Sequence, residues 1–232
     1  IPHFYEDVES VKKWRDSLDM TFDQDLYTKD FGVHAFSHEK EYSLRESNWL
    51  RPCLEVNGMW GGYIESGFKT VIPSKAYAKI SCRLVPNQNP QKIAQNIIEY
   101  FKKNAPSGIE ISAEIGEGYK AFCCFADSLI AKSAVLAYEE IFKKPCKYTA
   151  CGATVPIVPE LAAVSTAETI LMGVALETDN IHAPNEHFSM DCFKLGFLVM
   201  TNLLTRLSQR VEQGEDSLCG NATEKERRIK KL

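Results

Sequence analysis

The segment Thr178-Asp179-Asn180-Ile181-His182-Ala183-Pro184-Asn185-Glu186 holds an imidazole among carboxylates and stiffens it with Pro184. A neutral imidazole can give one ring nitrogen to a metal ion while an acceptor orients the other, which makes His182 a candidate metal ligand. A lone loop histidine serves equally well as a surface hydrogen-bonding residue, and spacing alone does not decide between the two. A second pair, Thr70 and Arg83, lies in and just after Gly61-Gly62-Tyr63-Ile64-Glu65-Ser66-Gly67-Phe68-Lys69-Thr70-Val71-Ile72-Pro73. Arginine on the polar face of a strand can clamp a carboxylate through two parallel hydrogen bonds. The plain alternative is a surface ion pair with Glu110 or Glu114. A third element, Gly152-Ala153-Thr154-Val155-Pro156, combines small residues with a hydroxyl, so its backbone could approach a ligand closely; a simple turn has the same composition.

The elements that would position these groups follow from periodicity. Ala76, Ala78, Ile80, Cys82 and Leu84 alternate with Tyr77, Lys79, Ser81 and Arg83, the signature of a half-buried strand whose polar face carries Lys79, Ser81 and Arg83 together. Asn89 then caps a helix with Pro90 at its first position and Ile93, Ile97 and Phe101 on one stripe, ending near Ala105-Pro106-Ser107-Gly108. Ile109, Ile111, Ala113 and Ile115 alternate with polar residues and predict another strand. Upstream, Phe4 to Leu18 fits an amphipathic helix, followed by an irregular stretch. After Gly116-Glu117-Gly118 the spacing predicts a helix over 128–143. The apolar run Thr169 to Leu176 predicts a central strand buried on both faces, which leads into the His182 loop. A long helix is expected from near Ser189 toward Val211, and the charged segment beyond Gly214 reads as a tail without a packed core.

The bulk composition narrows the classes. Of 232 residues, 44% are hydrophobic and 25% charged, and 27 basic against 31 acidic residues leave a formal charge of -4. These are the proportions of a globular chain, with no basic, aromatic-laced segment for nucleic acid and no apolar run near the roughly 20 residues of a membrane span. The eight cysteines form no Cys-x-x-Cys pair and predict reduced, mostly buried thiols in a cytoplasmic protein rather than a thiolate metal cluster. The sequence opens Ile1-Pro2-His3-Phe4-Tyr5, without Met and inside what reads as a continuous fold, so further polypeptide upstream is expected.

Residues 51 to 90, RPCLEVNGMWGGYIESGFKTVIPSKAYAKISCRLVPNQNP, resemble the dimerisation or lid domain of one metallopeptidase family. That family includes aminoacylase, acetylornithine deacetylase, succinyl-diaminopimelate desuccinylase, glutamate carboxypeptidase and carnosinase. IHAPNE, residues 181 to 186, is similar to its C-terminal metal-binding segment, and the 152–156 turn lies between the two in the matching order.

The resemblance implies an α/β fold. A partial zinc-peptidase-like catalytic α/β domain would be joined to a ferredoxin-like α+β lid of four strands, here lacking its first elements. The lid would occupy residues 1–116, the closing half of the catalytic domain 117–213, and the charged tail 214–232. The implied activity is metal-dependent hydrolysis of an amide bond in a dipeptide or N-acyl amino acid, with two zinc ions and a homodimer formed through the lid. His182 matches the last metal ligand, Arg83 the arginine that binds the substrate carboxylate, and Thr70 a residue that helps hold the scissile carbonyl. Whether Thr70 acts within its own chain or across the dimer interface is left open. Gly152 and Thr154 match a substrate-contacting turn. The other implied metal ligands, the catalytic glutamate and a lid histidine have no counterpart in this sequence, and His3, His34 and His38 match no family position. The chain alone is therefore expected to be inactive, and the alternative reading is a non-catalytic dimerisation module.

Overall fold

The computed structural model describes residues 1–212 apart from Phe125, Thr154 and Thr166, and for Glu177, Val211 and Glu212 the backbone alone. The chain divides into two compact units. One comprises Ile1–Asp16, Met20–Ala121 and Ala150–Val155; the other comprises Ser17–Asp19, Phe122–Thr149 and Pro156 onward.

In the first unit, three short helices, α1 (Lys12–Arg15), α2 (Gln24–Phe31) and α3 (Leu44–Leu50), precede strands β1 (Cys53–Gly61) and β2 (Ala76–Arg83) and helix α4 (Pro90–Lys103). The strands pair antiparallel, with Cys53 opposite Arg83 and Gly61 opposite Ala76, and a bulge between Val56 and Gly58. The extra residue, Asn57, keeps both strands' faces in phase, so Trp60 still meets Tyr77. Helix α4 starts as its sequence requires. The Asn89 side chain accepts from the backbone N–H groups of Gln91 and Lys92, and Pro90 fills a position whose missing N–H costs nothing. Its stripe packs Ile93 and Ile97 with Phe4, against Leu54, Cys82, Leu84 and Phe101. Burying each of these large side chains stabilises the unit by roughly 1.5–3 kcal/mol.

Two expectations for this unit are corrected. The helix over Phe4 to Leu18 contracts to the single turn of α1. His3 takes a left-handed backbone, and the Phe4 carbonyl accepts from the buried Gln88 side chain at 2.7 Å instead of entering a helical ladder. The strand expected over Ile109 to Ile115 forms no ladder, and among the described residues the sheet has two strands rather than four. Alternation supplies a strand's side-chain pattern, but its backbone hydrogen bonds need a neighbour, and none is seated beside it. For the same reason β2 is covered only near its Arg83 end, while Ala76, Ala78 and Ile80 stand exposed.

The second unit is built on helices α5 (Leu129–Phe142) and α7 (Met190–Glu212), with the shorter α6 (Ile157–Ser165) between them in sequence. Ser128 caps α5 through the Ala131 N–H, and the Ser189 hydroxyl accepts from Asp191 and Cys192 at the start of α7. Ala134, Ala137, Val199 and Leu203 form the core between the two helices, edged by Tyr138, Phe142, Ile170 and Met172. Thr169 to Leu176 has no strand ladder, and its burial is one-sided: Ile170 and Met172 lean on that core, while Leu171 is 56% exposed. The Tyr138 hydroxyl donates to the Gly173 carbonyl at 2.8 Å and ties this segment to α5. Gly196 of α7 is required by close approach, since a Cβ there would lie 2.9 Å from a Val174 methyl. A second stripe of α7, Met190, Phe193, Phe197, Met200 and Leu204, is exposed. Among the described residues no helix is long and apolar enough to cross a membrane.

Candidate functional site

Arg83 is the last residue of β2, and its register with Cys53 fixes which face it joins. The face packed on α4 carries Leu54, Val56, Ile80 and Cys82; the opposite face carries Cys53, Glu55 and Trp60 from β1 with Tyr77, Lys79, Ser81 and Arg83 from β2. Lys79, Ser81 and Arg83 are all exposed on that open face. The Trp60 and Tyr77 rings stack at 5.1 Å and 9°, and the Lys79 ammonium sits 5.8 Å from the Trp60 ring centre. Burial pushes the Cys53 thiol above its ordinary pKa, and Glu55 adds to this, while the backbone and positive charge of Arg83 oppose it. The open face therefore offers hydrogen-bond donors and positive charge at its Arg83 end, suited to a carboxylate.

Thr70 sits on the connection between β1 and β2, residues 62–75. The Val71 N–H donates to the Lys69 carbonyl at 2.9 Å, a bond two residues back that makes Thr70 the centre of a γ-turn. The φ of Thr70 is not positive, so this is the relaxed inverse form. The connection is tied at its base, where Pro73 lies against Gly62, but its large side chains stay in solvent, with Phe68 103% and Ile72 92% exposed. Arg83 lies at the other end of β2, and the seven steps from Ala76 to Arg83 span about 23 Å at the rise of a strand. The length of β2 thus lies between the Thr70 connection and Arg83, and an extended dipeptide reaches only about 7 Å.

Gly152 lies against the C-terminal part of α3. A Cβ there would stand 2.6 Å from the Asn48 carbonyl oxygen, so packing alone demands glycine at this position. Thr154 lies outside the described residues.

His182, in the second unit, is exposed and holds φ +63°, between Asn180 at +55° and Asn185 at +62°. A left-handed histidine costs roughly 1–2 kcal/mol, and such a conformation persists only where surrounding contacts impose it. The loop closes on a residue whose role sequence reasoning missed. Asp179 is 2% exposed, and its carboxylate accepts from the Leu176 N–H at 2.8 Å and lies 3.9 Å from the His187 ring. Its carbonyl accepts from the His187 N–H at 3.0 Å, and the His187 ring meets the Asn185 carbonyl at 3.1 Å. The loop is thus drawn shut around Asp179 at both ends. The signal was present in the sequence as an acid beside Asn180, which tolerates left-handed backbone, three places before the histidine.

The expectation of mostly buried thiols is corrected for the described residues. Only Cys192 is buried; Cys53, Cys82, Cys123 and Cys146 are half-buried, and Cys124 and Cys151 are exposed, all free.

Residues 13–109 match the family model described as peptidase dimerisation domain. That stretch is similar to a peptidase dimerisation domain. Across the chain, the Beta-Ala-His dipeptidase of Rattus norvegicus is 24% identical over 194 residues, covering 80% of this chain and 39% of the relative. The Cys-Gly metallodipeptidase DUG1 of Candida albicans is 26% identical over 193 residues, with the same coverage of 80% and 39%. The chain spans about two fifths of the length of these curated relatives. Among solved structures, the dipeptidase Dug1p of Saccharomyces cerevisiae superposes with a TM-score of 0.74 at 21% identity, covering 88% of this chain and 44% of that one. The M20 family metallo-carboxypeptidase Sso-CP2 of Sulfolobus solfataricus gives 0.71 at 21% identity, with 88% and 47% covered. These likenesses establish the fold, the mixed α/β architecture that the sequence resemblance implied. The β1–β2 hairpin and α4, with the Thr70 loop, lie within the matched residues 13–109, and His182 lies outside them.

Proposed function

We propose that the polypeptide carrying this chain is a metal-dependent hydrolase cleaving the amide bond of a dipeptide or N-acyl amino acid, assembled as a homodimer in the cytoplasm. Arg83 of one copy fixes the substrate's terminal carboxylate by paired hydrogen bonds, and Thr70 of the other copy donates its hydroxyl to the scissile carbonyl oxygen, where negative charge gathers in the transition state. The observation that carries this reading is the position of the two groups: an arginine on the open sheet face and a threonine at a γ-turn apex, at opposite ends of one strand. The roughly 23 Å length of β2, which lies between the Thr70 connection and Arg83, supports a site shared by two symmetry-related copies. The relatives, two kinds of dipeptidase, support the same substrate class.

The residues described in this chain do not fit a metal centre by themselves, since no three His, Cys, Asp or Glu side chains come together. In this reading His182 contributes one ligand to a zinc ion of a two-ion site, and the remaining ligands and the catalytic carboxylate lie on polypeptide outside residues 1–232. The left-handed φ of His182 and the closure of its loop through Asp179, bonded to the Leu176 and His187 N–H groups, support a presenting role for the loop. Gly152 and Thr154 remain the substrate-side turn of the proposal. The lid is taken as residues 1–116, the catalytic portion as 117–213 and the tail as 214–232. The exposed second stripe of α7 supports burial against further polypeptide.

The test is hydrolysis by the complete gene product, supplied with zinc, of dipeptides with free and with amidated C-termini. Arg83→Ala should lower kcat/KM on the free-carboxylate substrate by roughly 30- to 150-fold, the worth of charged hydrogen bonds, and leave the amidated substrate much less affected. Equal loss on both would remove the carboxylate role. The second reading, a dimerisation module without catalysis, draws on the match of residues 13–109 to a peptidase dimerisation domain. Metal-loaded full-length protein inert toward every peptide would establish it.

A further inference from the structure

The connection between β1 and β2 is braced at several points. The Tyr63 hydroxyl donates to the Ser66 carbonyl at 3.1 Å, Gly67 turns the chain at φ +88°, and the Lys69 ammonium folds back to 5.7 Å from the Tyr63 ring centre. Pro73 closes the base against Gly62. Against that ordered frame, Phe68 is 103% and Ile72 92% exposed, so each ring or branched chain touches almost nothing. Both stand two residues from Thr70, one on each side of its γ-turn, and two residues span at most about 7 Å. An ordered loop that holds two large apolar groups in water on either side of a hydroxyl is built to meet something apolar at that hydroxyl.

We infer that Phe68 and Ile72 form an apolar rim around Thr70 that selects substrates whose N-terminal residue, the one bearing the scissile carbonyl, has a bulky apolar side chain. This rests on the dipeptidase reading above. If Thr70 reaches the scissile carbonyl oxygen, the side chain one atom away from that carbonyl lies within reach of both flanking groups. The substrate's C-terminal residue points instead toward Arg83 and away from the rim. Selection therefore falls on the N-terminal side chain.

The probes are Leu-Gly and Gly-Gly, which differ only there, assayed with the complete gene product and its Phe68→Ala, Ile72→Ala and Phe68→Leu variants. The native protein should favour Leu-Gly. Phe68→Ala should cut the ratio of kcat/KM for Leu-Gly over Gly-Gly by about tenfold, the range that lost apolar contact allows, Ile72→Ala by a smaller factor, and Phe68→Leu should restore most of it. Because both side chains are exposed, the variants keep the fold. An unchanged ratio overturns the rim while leaving the dipeptidase reading intact. An equal fall on both substrates also overturns it and makes the loop an anchor on a protein surface. Failure of the native protein to cleave any dipeptide overturns the reading and the rim with it.

Discussion

Replacing Asp179 by Ala isolates what the His182 loop owes to one buried carboxylate. The change removes the acceptor of the Leu176 N–H, a charged hydrogen bond of 2.8 Å, and the carboxylate facing the His187 ring at 3.9 Å. A stranded buried donor costs about 1–3 kcal/mol, but Leu176 is 50% exposed, so water can reach its amide and the lower part of that range applies. About 1–2 kcal/mol corresponds to a roughly 5- to 30-fold shift toward open forms of the loop. The backbone bonds Asp179 N–H to Leu176 and His187 N–H to Asp179 survive the substitution and limit the opening to this segment. Amide hydrogen exchange is the assay: residues 176–187 should lose protection by that factor, while Ala134, Ala137, Val199 and Leu203 exchange as before. Asp179→Asn, whose amide oxygen can still accept from Leu176, should lose less. Unchanged exchange at 176–187, or loss spread evenly into α5 and α7, would refute the reasoning that Asp179 holds the loop.

Two further outcomes follow from packing and charge. Leu203 is 3% exposed in the α5–α7 core, so Leu203→Ala should destabilise the second unit by about 2–5 kcal/mol, read as a lowered denaturation midpoint. Burial alone would raise the Glu46 carboxyl, but the Ser43 backbone N–H and the Arg15 guanidinium outweigh it and hold it below the usual carboxylate range. A lowered folded pKa means that the unfolded chain binds the proton more readily. The stabilisation is then fully present above about pH 4.3, the unfolded value, and is lost as pH falls through the folded one. Glu46→Gln should flatten the acid side of the stability profile measured by denaturant midpoint between pH 7 and 3, and a profile as steep as the native one would count against the ion pair.

The parts of the fold that were legible in the sequence are those specified locally. Asn89-Pro90 and Ser128 start helices by side-chain capping, and both begin where those residues stand. The polar face of β2 is the alternation of its sequence. Helix α3 had a readable start as well, because Ser43 and Glu46 form a capping box, each side chain bonded to the other's backbone N–H. Helix α2 lacked the apolar periodicity that would reveal it, for none of its residues is buried. Helix α6 was hidden by Pro156 and Pro159, which read as breakers although Pro159 falls in the first turn, where it is tolerated. The two expected strands failed for another reason: ladders are made between segments, and no local pattern shows whether a neighbour is present. At the candidate site, residue types pointed to Arg83, Thr70 and His182, but the distance along β2 and the buried Asp179 emerge only in three dimensions.

The claim that one site draws on two copies is tested most directly by mixing two disabled proteins. Thr70→Ala and Arg83→Ala variants of the complete gene product are each expected to hydrolyse dipeptides poorly. After subunit exchange at equal concentration, half the dimers are mixed, and each mixed dimer holds one site with an intact Arg83 from one copy and an intact Thr70 from the other. Activity should then rise to about one quarter of the native value. If both residues served their own chain's site, every site in the mixture would still lack one of them, and activity no higher than that of the separate variants would contradict the account.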